Sequence, residues 1–143
     1  MSDVSPSAVS EALSKAGIEV YRVVGAEIQI AERVRLHIMD SGIRVDLGGG
    51  IRVIFRARSQ RSDYPHIAPE ELLRRVREAI GAPAEAHGFT EHETASREIL
   101  DPADATQVLD VWHEVTYMKR PESVPALVDD LRWALTLDKY VSE

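Results

Sequence analysis

Apolar and polar side chains alternate from Arg33 to Arg58, and this pattern constrains the fold more than any other part of the chain. The stretch consists of three runs, Arg33–Met39, Ile43–Leu47 and Ile51–Arg58, separated by Asp40-Ser41-Gly42 and by Gly48-Gly49-Gly50. Strict alternation places consecutive side chains on opposite sides of a pleated strand. The sequence therefore predicts a three-stranded antiparallel meander with two tight connections.

One side of the predicted meander is almost wholly apolar, and we expect it to be buried against helices. It consists of Val34, Leu36, Ile38, Ile43, Val45, Leu47, Ile51, Val53, Phe55 and Ala57. The other side is basic: it carries Arg33, Arg35, His37, Arg44, Arg52, Arg56 and Arg58, with Asp46 as its one carboxylate. Like charges opposite one another on neighbouring strands are destabilising, by roughly 0.2–1 kcal/mol per pair. This basic face therefore needs a source of negative charge.

The flanking sequence predicts three helices and additional strands. The helices are expected over residues 5–16, from Pro69 to Ile80 with Gly81 and Pro83 ending it, and from about residues 121–125 to Leu137. Strands are expected over Ile18–Val24 with a continuation through Ile30, over His92–Leu100 and over Leu109–Tyr117. The predicted fold class is α+β, a mainly antiparallel twisted sheet with helices packed on one face, in the order α-β-β-β-β-α-β-β-α. We expect one domain over residues 1–143.

Composition narrows the classes of function. The net charge is −7, there is no cysteine, and no apolar run approaches the roughly 20 residues of a membrane helix. The N-terminus lacks the basic start and apolar run of a signal peptide. We therefore expect a cytoplasmic protein that binds neither membranes nor nucleic acid, since both are anionic. Positive charge is nevertheless concentrated between Arg44 and Arg77, where eight arginines accompany four acids.

The basic face has two interpretations. Because arginine matches the geometry of carboxylate and phosphate, the face could dock an anionic partner. Alternatively, if the strand Leu109–Tyr117 lies beside Ile51–Arg58, Asp110 and Glu114 would pair with Arg52 and Arg56. Trp112 is predicted on the same outer side and is a candidate interface anchor. The predicted binding residues are Arg33, Arg35, Arg44, Arg52, Arg56, Arg58 and Trp112.

Other motifs have a simpler structural interpretation. Gly48-Gly49-Gly50 lies between strands and lacks the lysine and helix of a phosphate-binding loop, so it is predicted to be a hairpin connection. His87, His92 and His113 lack the spacing of ligands on one helix face, and no metal or cofactor is predicted. His113 is expected to be a hydrogen-bonded core residue.

For catalysis, His66 with Asp63 and Tyr64 is the one local cluster of acid–base groups. Its residue types are common in loops, so no catalytic residue is predicted.

In element order and acidity, the chain resembles the type III secretion chaperones. That resemblance implies a dimeric, non-enzymatic protein that binds extended segments of partner proteins. We therefore expect a non-catalytic protein-interaction module, a small adaptor or chaperone-like protein, that forms a homodimer through its sheet edge or last helix. The alternative is an anion-binding protein that holds a phosphorylated small molecule or RNA. A small enzyme using His66 and Asp63 is a third hypothesis.

Overall fold

The computed structural model describes residues 4–34, 37–60 and 66–139, without the side chains of Arg33, Val34 and Gln60. The helices are α1 (Pro6–Lys15), α2 (Pro69–Val76), α3 (Ala82–Ala86) and α4 (Val124–Thr136), with a π-helical turn (Arg77–Gly81) joining α2 to α3. The strands are β1 (Val20–Val24), β2 (Glu27–Val34), β3 (His37–Asp46), β4 (Arg52–Gln60), β5 (Thr90–Asp101) and β6 (Asp104–Lys119). They form a six-stranded antiparallel sheet in the order β1-β2-β3-β4-β6-β5. The predicted α+β fold class and element order are confirmed.

The described residues divide into two compact units. One comprises residues within Met1–Phe55 and Met118–Leu137, and the other comprises residues within Arg56–Tyr117 and Asp138–Glu143. The expectation of one domain over residues 1–143 stays a prediction. No helix in the described ranges has both the length and the apolar character needed to span a bilayer.

In the first unit, both long helices begin at capping serines. The Ser5 hydroxyl accepts a hydrogen bond from the Ala8 N–H, and the Ser123 hydroxyl accepts one from the Ala126 N–H, each at 3.2 Å. A side-chain oxygen at this position satisfies a backbone donor that the helix itself cannot. Val9 and Leu13 on α1 and Leu127, Leu131 and Ala134 on α4 are buried. Asp130 of α4 is also buried, and its carboxylate lies 2.8 Å from the Lys119 ammonium.

The first hairpin of the meander does not turn at Asp40-Ser41-Gly42. β3 continues through these residues, and its pairing with β2 extends to Val34 and His37. Residues 35–36 lie outside the described chain. The register shifts between Gln29 and Ala31, where the Ser41 hydroxyl donates to the Ile30 carbonyl at 3.1 Å. A sequence typical of a turn is thus accommodated as an irregularity within a strand.

This register changes which residues form the core of the sheet. Ile38 was predicted to be buried, but it is 43% exposed. Ile28 and Ile30 of β2 are fully buried, together with the predicted Ile43, Val45 and Val53. Leu36 and the side chain of Val34 lie outside the described part of the chain. The β3–β4 pairing confirms that Gly48-Gly49-Gly50 is a hairpin connection.

In the second unit, the prediction that Gly81 and Pro83 end the helix is wrong. The backbone continues through the π-helical turn into α3, which ends at Ala86. A Cβ atom on Gly81 would lie 2.6 Å from the Tyr117 hydroxyl, so this glycine permits a close approach between the helix and β6. Leu72, Val76, Ile80, Ala84 and Tyr117 are all buried.

β5 and β6 are longer than the predicted strands and differ in burial along their length. Residues Thr90 to Glu98 of β5 are all exposed, and so is β6 from Asp104 to Leu109. β6 becomes buried from His113 to Tyr117. Trp112 and Glu114, at the start of this buried section, are the side chains that contact the basic residues of β4.

Candidate binding platform

The predicted basic face is divided between the two units. In the first unit, each arginine lies beside one carboxylate: Arg44 Nε is 3.3 Å from Glu27 Oε1, and Arg52 Nη2 is 2.5 Å from Asp46 Oδ2. Arg35 and the side chain of Arg33 lie outside the described residues. Arg44 and Arg52, the two arginines of the predicted basic face whose side chains are described in this unit, thus each have a counter-charge.

In the second unit, Arg56 and Arg58 of β4 share a site with residues of β5 and β6. We call this site the arginine platform; it consists of Arg56, Arg58, Arg97, Trp112 and Glu114. Residues 56 and 58 alternate with the buried Phe55, Ala57 and Ser59, so both arginines point away from the core side of β4. The expected neighbour, the strand carrying Trp112 and Glu114, is indeed adjacent to β4 in the sheet.

Glu114 is the centre of the platform. It is 5% exposed, and its Oε2 lies 4.0 Å from Arg56 Nη1 and 3.9 Å from Arg97 Nη2. These distances are those of ion pairs and are too long for hydrogen bonds. Burying a charged group is costly unless it is paired, and two guanidinium groups lie within ion-pairing distance of this carboxylate.

Arg58 makes a different contact. Its guanidinium carbon lies 4.0 Å from the centroid of the Trp112 ring, well within the range of a cation–π interaction. Burial lowers the pKa of Arg58, an effect that the neighbouring Glu114 opposes and that Arg56 and Arg97 reinforce. Because the ordinary pKa of arginine exceeds 12, the group stays charged at neutral pH. Arg58 thus covers the half-buried ring of Trp112, the candidate interface anchor.

The platform carries more positive than negative charge. Three guanidinium groups, those of Arg56, Arg58 and Arg97, accompany one carboxylate. Among the described residues, Glu114 is the one acidic side chain in ion-pair contact with any of them, and it pairs with Arg56 and Arg97. The predicted internal pairing is present for Arg56, which pairs with Glu114, while Arg52 pairs with Asp46 and Arg44 with Glu27. The platform nevertheless keeps a surplus of two positive charges.

Sequence reasoning located four of the five platform residues and missed Arg97. Arg56, Arg58 and Trp112 were predicted as binding residues, and Glu114 was predicted as the partner of Arg56. Arg97 lies in β5, where the alternation of polar and apolar residues is weak because both sides of the strand are exposed. Only the structure shows that Ser96 contacts His113 and that the next residue, Arg97, contacts Glu114.

The histidines are separated from one another. His113 is buried, with Nδ1 2.9 Å from the Ser96 hydroxyl, which confirms the expected hydrogen-bonded core histidine. His87 stacks on Phe89 with ring centroids 6.2 Å apart. The described ranges contain no cluster of three or more metal-ligating side chains. His66 is exposed, and its predicted neighbours Asp63 and Tyr64 lie outside the described residues.

No protein-family model, curated protein or solved structure matches the chain. The geometry and charge of the platform are therefore the features from which a function can be inferred.

Proposed function

We propose that this chain is a non-catalytic protein-interaction module that binds an acidic, extended segment of a partner protein on the arginine platform. The observation that supports the proposal is the charge surplus: two guanidinium groups pair with one carboxylate, and a third lies over the neighbouring Trp112 ring. Carboxylates of a partner would complete the pairing that Glu114 begins. The protein would then serve as a small acidic adaptor or chaperone-like protein of the cytoplasm.

The side chains of the platform are suited to a peptide. Arg58 is oriented by its contact with Trp112, so part of the entropy cost of fixing a long side chain is already met before binding. A guanidinium group can donate two parallel hydrogen bonds to one carboxylate. Trp112 adds an aromatic surface of the kind that is enriched in protein interfaces.

The position of Glu114 favours several separate carboxylates over one phosphate. Glu114 lies between Arg56 and Arg97, so a phosphate gripped by both guanidinium groups would meet this carboxylate at close range. Carboxylates on different side chains of a segment can instead approach Arg58 and the exposed side of Arg97. Nucleic acid is further disfavoured by the net charge of −7.

The direct test is binding of a fluorescently labelled peptide in which glutamate and valine alternate. We expect binding that weakens with added salt, whereas the matched peptide with glutamine in place of glutamate should not bind. Arg58→Gln and Arg97→Gln should each reduce the affinity by roughly 10- to 100-fold, because each removes a charge-assisted hydrogen-bonding group worth about 1.5–3 kcal/mol. Arg22→Gln is the matched control, since it removes one exposed arginine of the first unit.

The outcomes separate the hypotheses. Equal affinity of the platform variants and the unmodified protein would refute the platform as the peptide site. Tight binding of tripolyphosphate at constant ionic strength, without binding of the peptide, would favour the anion-binding alternative. Stabilisation by either ligand can be confirmed from a rise in the unfolding midpoint.

A further inference from the structure

β5 is one edge of the sheet and presents a long exposed strand. It contains 12 residues, and in the described sheet its one neighbour is β6. An edge strand carries a row of backbone N–H and C=O groups directed away from the sheet, which makes it a template for pairing with another chain. Proteins protect such edges by shortening them, by proline, by a bulge or by charged side chains. β5 is long and has no proline, and the charged side chains along it restrict which strand can pair with it.

We propose that β5 pairs in an antiparallel arrangement with β5 of a second copy of this chain, about a twofold axis at Ala95. This inference goes beyond the proposed function and does not rest on it, because the contact is made by a strand edge. A second copy is the proposed partner strand because the charged side chains of β5 are complementary to those of a copy of β5 in the antiparallel arrangement.

The geometry of self-pairing restricts the possible registers. In a continuous antiparallel sheet, directly opposed residues lie on the same face. A strand paired with its own copy must therefore place one residue opposite itself, and this residue determines every other pair. With Ala95 on the axis, Glu93 faces Arg97 and His92 faces Glu98, each pair occurring twice by symmetry.

The neighbouring registers are less favourable. An axis at Glu93 or at Arg97 places a charged residue against its own copy, and an axis at Ser96 places Glu91 opposite Asp101. An axis at Thr94 would pair Glu91 with Arg97. In that register Glu91 would compete with its existing partner, because its Oε1 is already 2.7 Å from Arg77 Nε.

The Ala95 register also supplies negative charge to the arginine platform. The contact with Glu114 shows that the Arg97 side chain points toward the platform, and it is 57% exposed. Alternation places Glu93 on the same side of β5 as Arg97. Glu93 of the second copy would therefore lie opposite Arg97, with Cβ atoms about 4.5–5.5 Å apart, and would reduce the positive surplus.

Cysteine cross-linking tests both the pairing and its register. The sequence contains no cysteine, so a substituted cysteine is the sole thiol of the full-length protein. Opposed Cα atoms lie about 4.5–5.5 Å apart in antiparallel strands, a separation that a disulfide can bridge. We expect Ala95→Cys to form a covalent dimer on mild oxidation. Thr94→Cys and Ser96→Cys should each cross-link poorly alone but readily when mixed, because these two positions face each other.

Charge reversal gives a second test, measured by sedimentation. We expect a mass about twice the 15.9 kDa of the monomer. Glu93→Arg should weaken dimerisation by roughly tenfold or more, because the new arginine of each copy then faces Arg97 of the other copy. Glu122→Arg, at an exposed position outside β5, should not weaken it. Mixing Glu93→Arg with Arg97→Glu should restore association as a heterodimer, because each arginine then faces a glutamate. Circular dichroism of each variant checks that it is folded.

A protein that stays monomeric at high micromolar concentration would overturn the proposal. So would a dimer that is insensitive to Glu93→Arg and does not cross-link through Ala95→Cys, because such a dimer uses another surface. Peptide binding by Arg58→Gln is measured separately, so the failure of one proposal is distinguishable from the failure of the other.

Discussion

The guanidinium carbon of Arg58 lies 4.0 Å from the centroid of the Trp112 ring, so a cation on β4 covers an aromatic side chain on β6. Both residues lie outside the apolar core, on neighbouring strands of the sheet. The contact orients one of the platform arginines and shields the Trp112 ring from water. The packing of β4 against β6 therefore positions one of the three arginines that give the platform its positive surplus.

Removal of the Arg58 side chain should expose Trp112. In a Trp133→Phe background, which leaves Trp112 as the single tryptophan, we expect Arg58→Ala to shift the fluorescence maximum to longer wavelength. The free energy of unfolding should fall by about 1 kcal/mol, the size of a partly desolvated cation–π contact. Arg58→Lys should retain part of both properties. An unchanged emission maximum in Arg58→Ala would show that the ring is not covered in solution.

Glu114→Gln should have opposite effects on stability and on peptide binding. The substitution keeps the shape of the side chain but leaves Arg56 and Arg97 without their shared counter-charge, so we expect the free energy of unfolding to fall by about 1–3 kcal/mol. At the same time the positive surplus rises, and binding of the acidic peptide should tighten. Urea unfolding and fluorescence anisotropy measure the two effects.

Glu27→Gln is the control for this prediction, because Glu27 pairs with Arg44 in the first unit and its side chain is one-third exposed. Its effect on unfolding should be smaller, as expected for an exposed ion pair, and it should not alter peptide binding. Tighter peptide binding by both variants would mean that net charge, and not the platform, determines the affinity.

Residues with strong alternation were predicted correctly because burial of one side of a strand fixes its register. Ile43, Val45, Val53 and Phe55 are all buried as expected. Short signals were less informative. Asp40-Ser41-Gly42 has the composition of a turn, yet the Ser41 hydroxyl bonds to the Ile30 carbonyl within the sheet, a contact between distant residues that no local pattern encodes.

The candidate site was predictable where it depends on alternation and not where it depends on strand pairing. Arg56 and Arg58 could be placed on one side of β4 from the sequence alone. Arg97 could not, because an edge strand exposed on both sides lacks the hydrophobic periodicity that assigns a side chain to a face. The surplus of charge became evident only when the single carboxylate among these arginines was located.

Gly81→Ala should destabilise the protein despite the higher helix propensity of alanine. Gly81 has helical backbone angles, φ −62° and ψ −42°, so alanine alone would be favoured by about 1 kcal/mol. Its Cβ would, however, lie 2.6 Å from the Tyr117 hydroxyl. We expect a net loss of about 1–3 kcal/mol in urea unfolding, as for other overpacked cores.

Two variants control the Gly81 prediction. Tyr117→Phe should recover part of the loss in the double variant, since the next atom, Cζ, is 3.3 Å away. Gly49→Ala introduces the same methyl group where no atom lies within 4 Å, and its effect should be small. Additive effects of Gly81→Ala and Tyr117→Phe would argue against the contact.

The pair formed by Lys119 and Asp130 should show the asymmetry of buried charges. Asp130 is 4% exposed, and its Oδ1 lies 2.8 Å from the Lys119 ammonium. Lys119→Met leaves the carboxylate buried without this cation and should cost about 3 kcal/mol or more. The double variant Lys119→Met/Asp130→Leu should cost less than Lys119→Met alone, as determined by urea unfolding. If the double variant were less stable than Lys119→Met, the ion pair itself would not be the source of the loss in the single variant, and the expected asymmetry would be wrong.

Tyr117 should make the protein progressively less stable in alkaline solution. Burial raises the pKa of Tyr117 to about 12, with the negative charge of Glu91 adding to the increase and Arg77 opposing it. In the unfolded chain the pKa is about 10, so between about pH 10 and pH 12 the native protein holds a proton that the unfolded chain has lost. The contribution is therefore fully present below pH 10 and is lost as the pH rises through about 12, amounting to about 2–3 kcal/mol. Urea unfolding across this range should show a steeper decline for the unmodified protein than for Tyr117→Phe; parallel curves would mean that the Tyr117 hydroxyl titrates alike in both states.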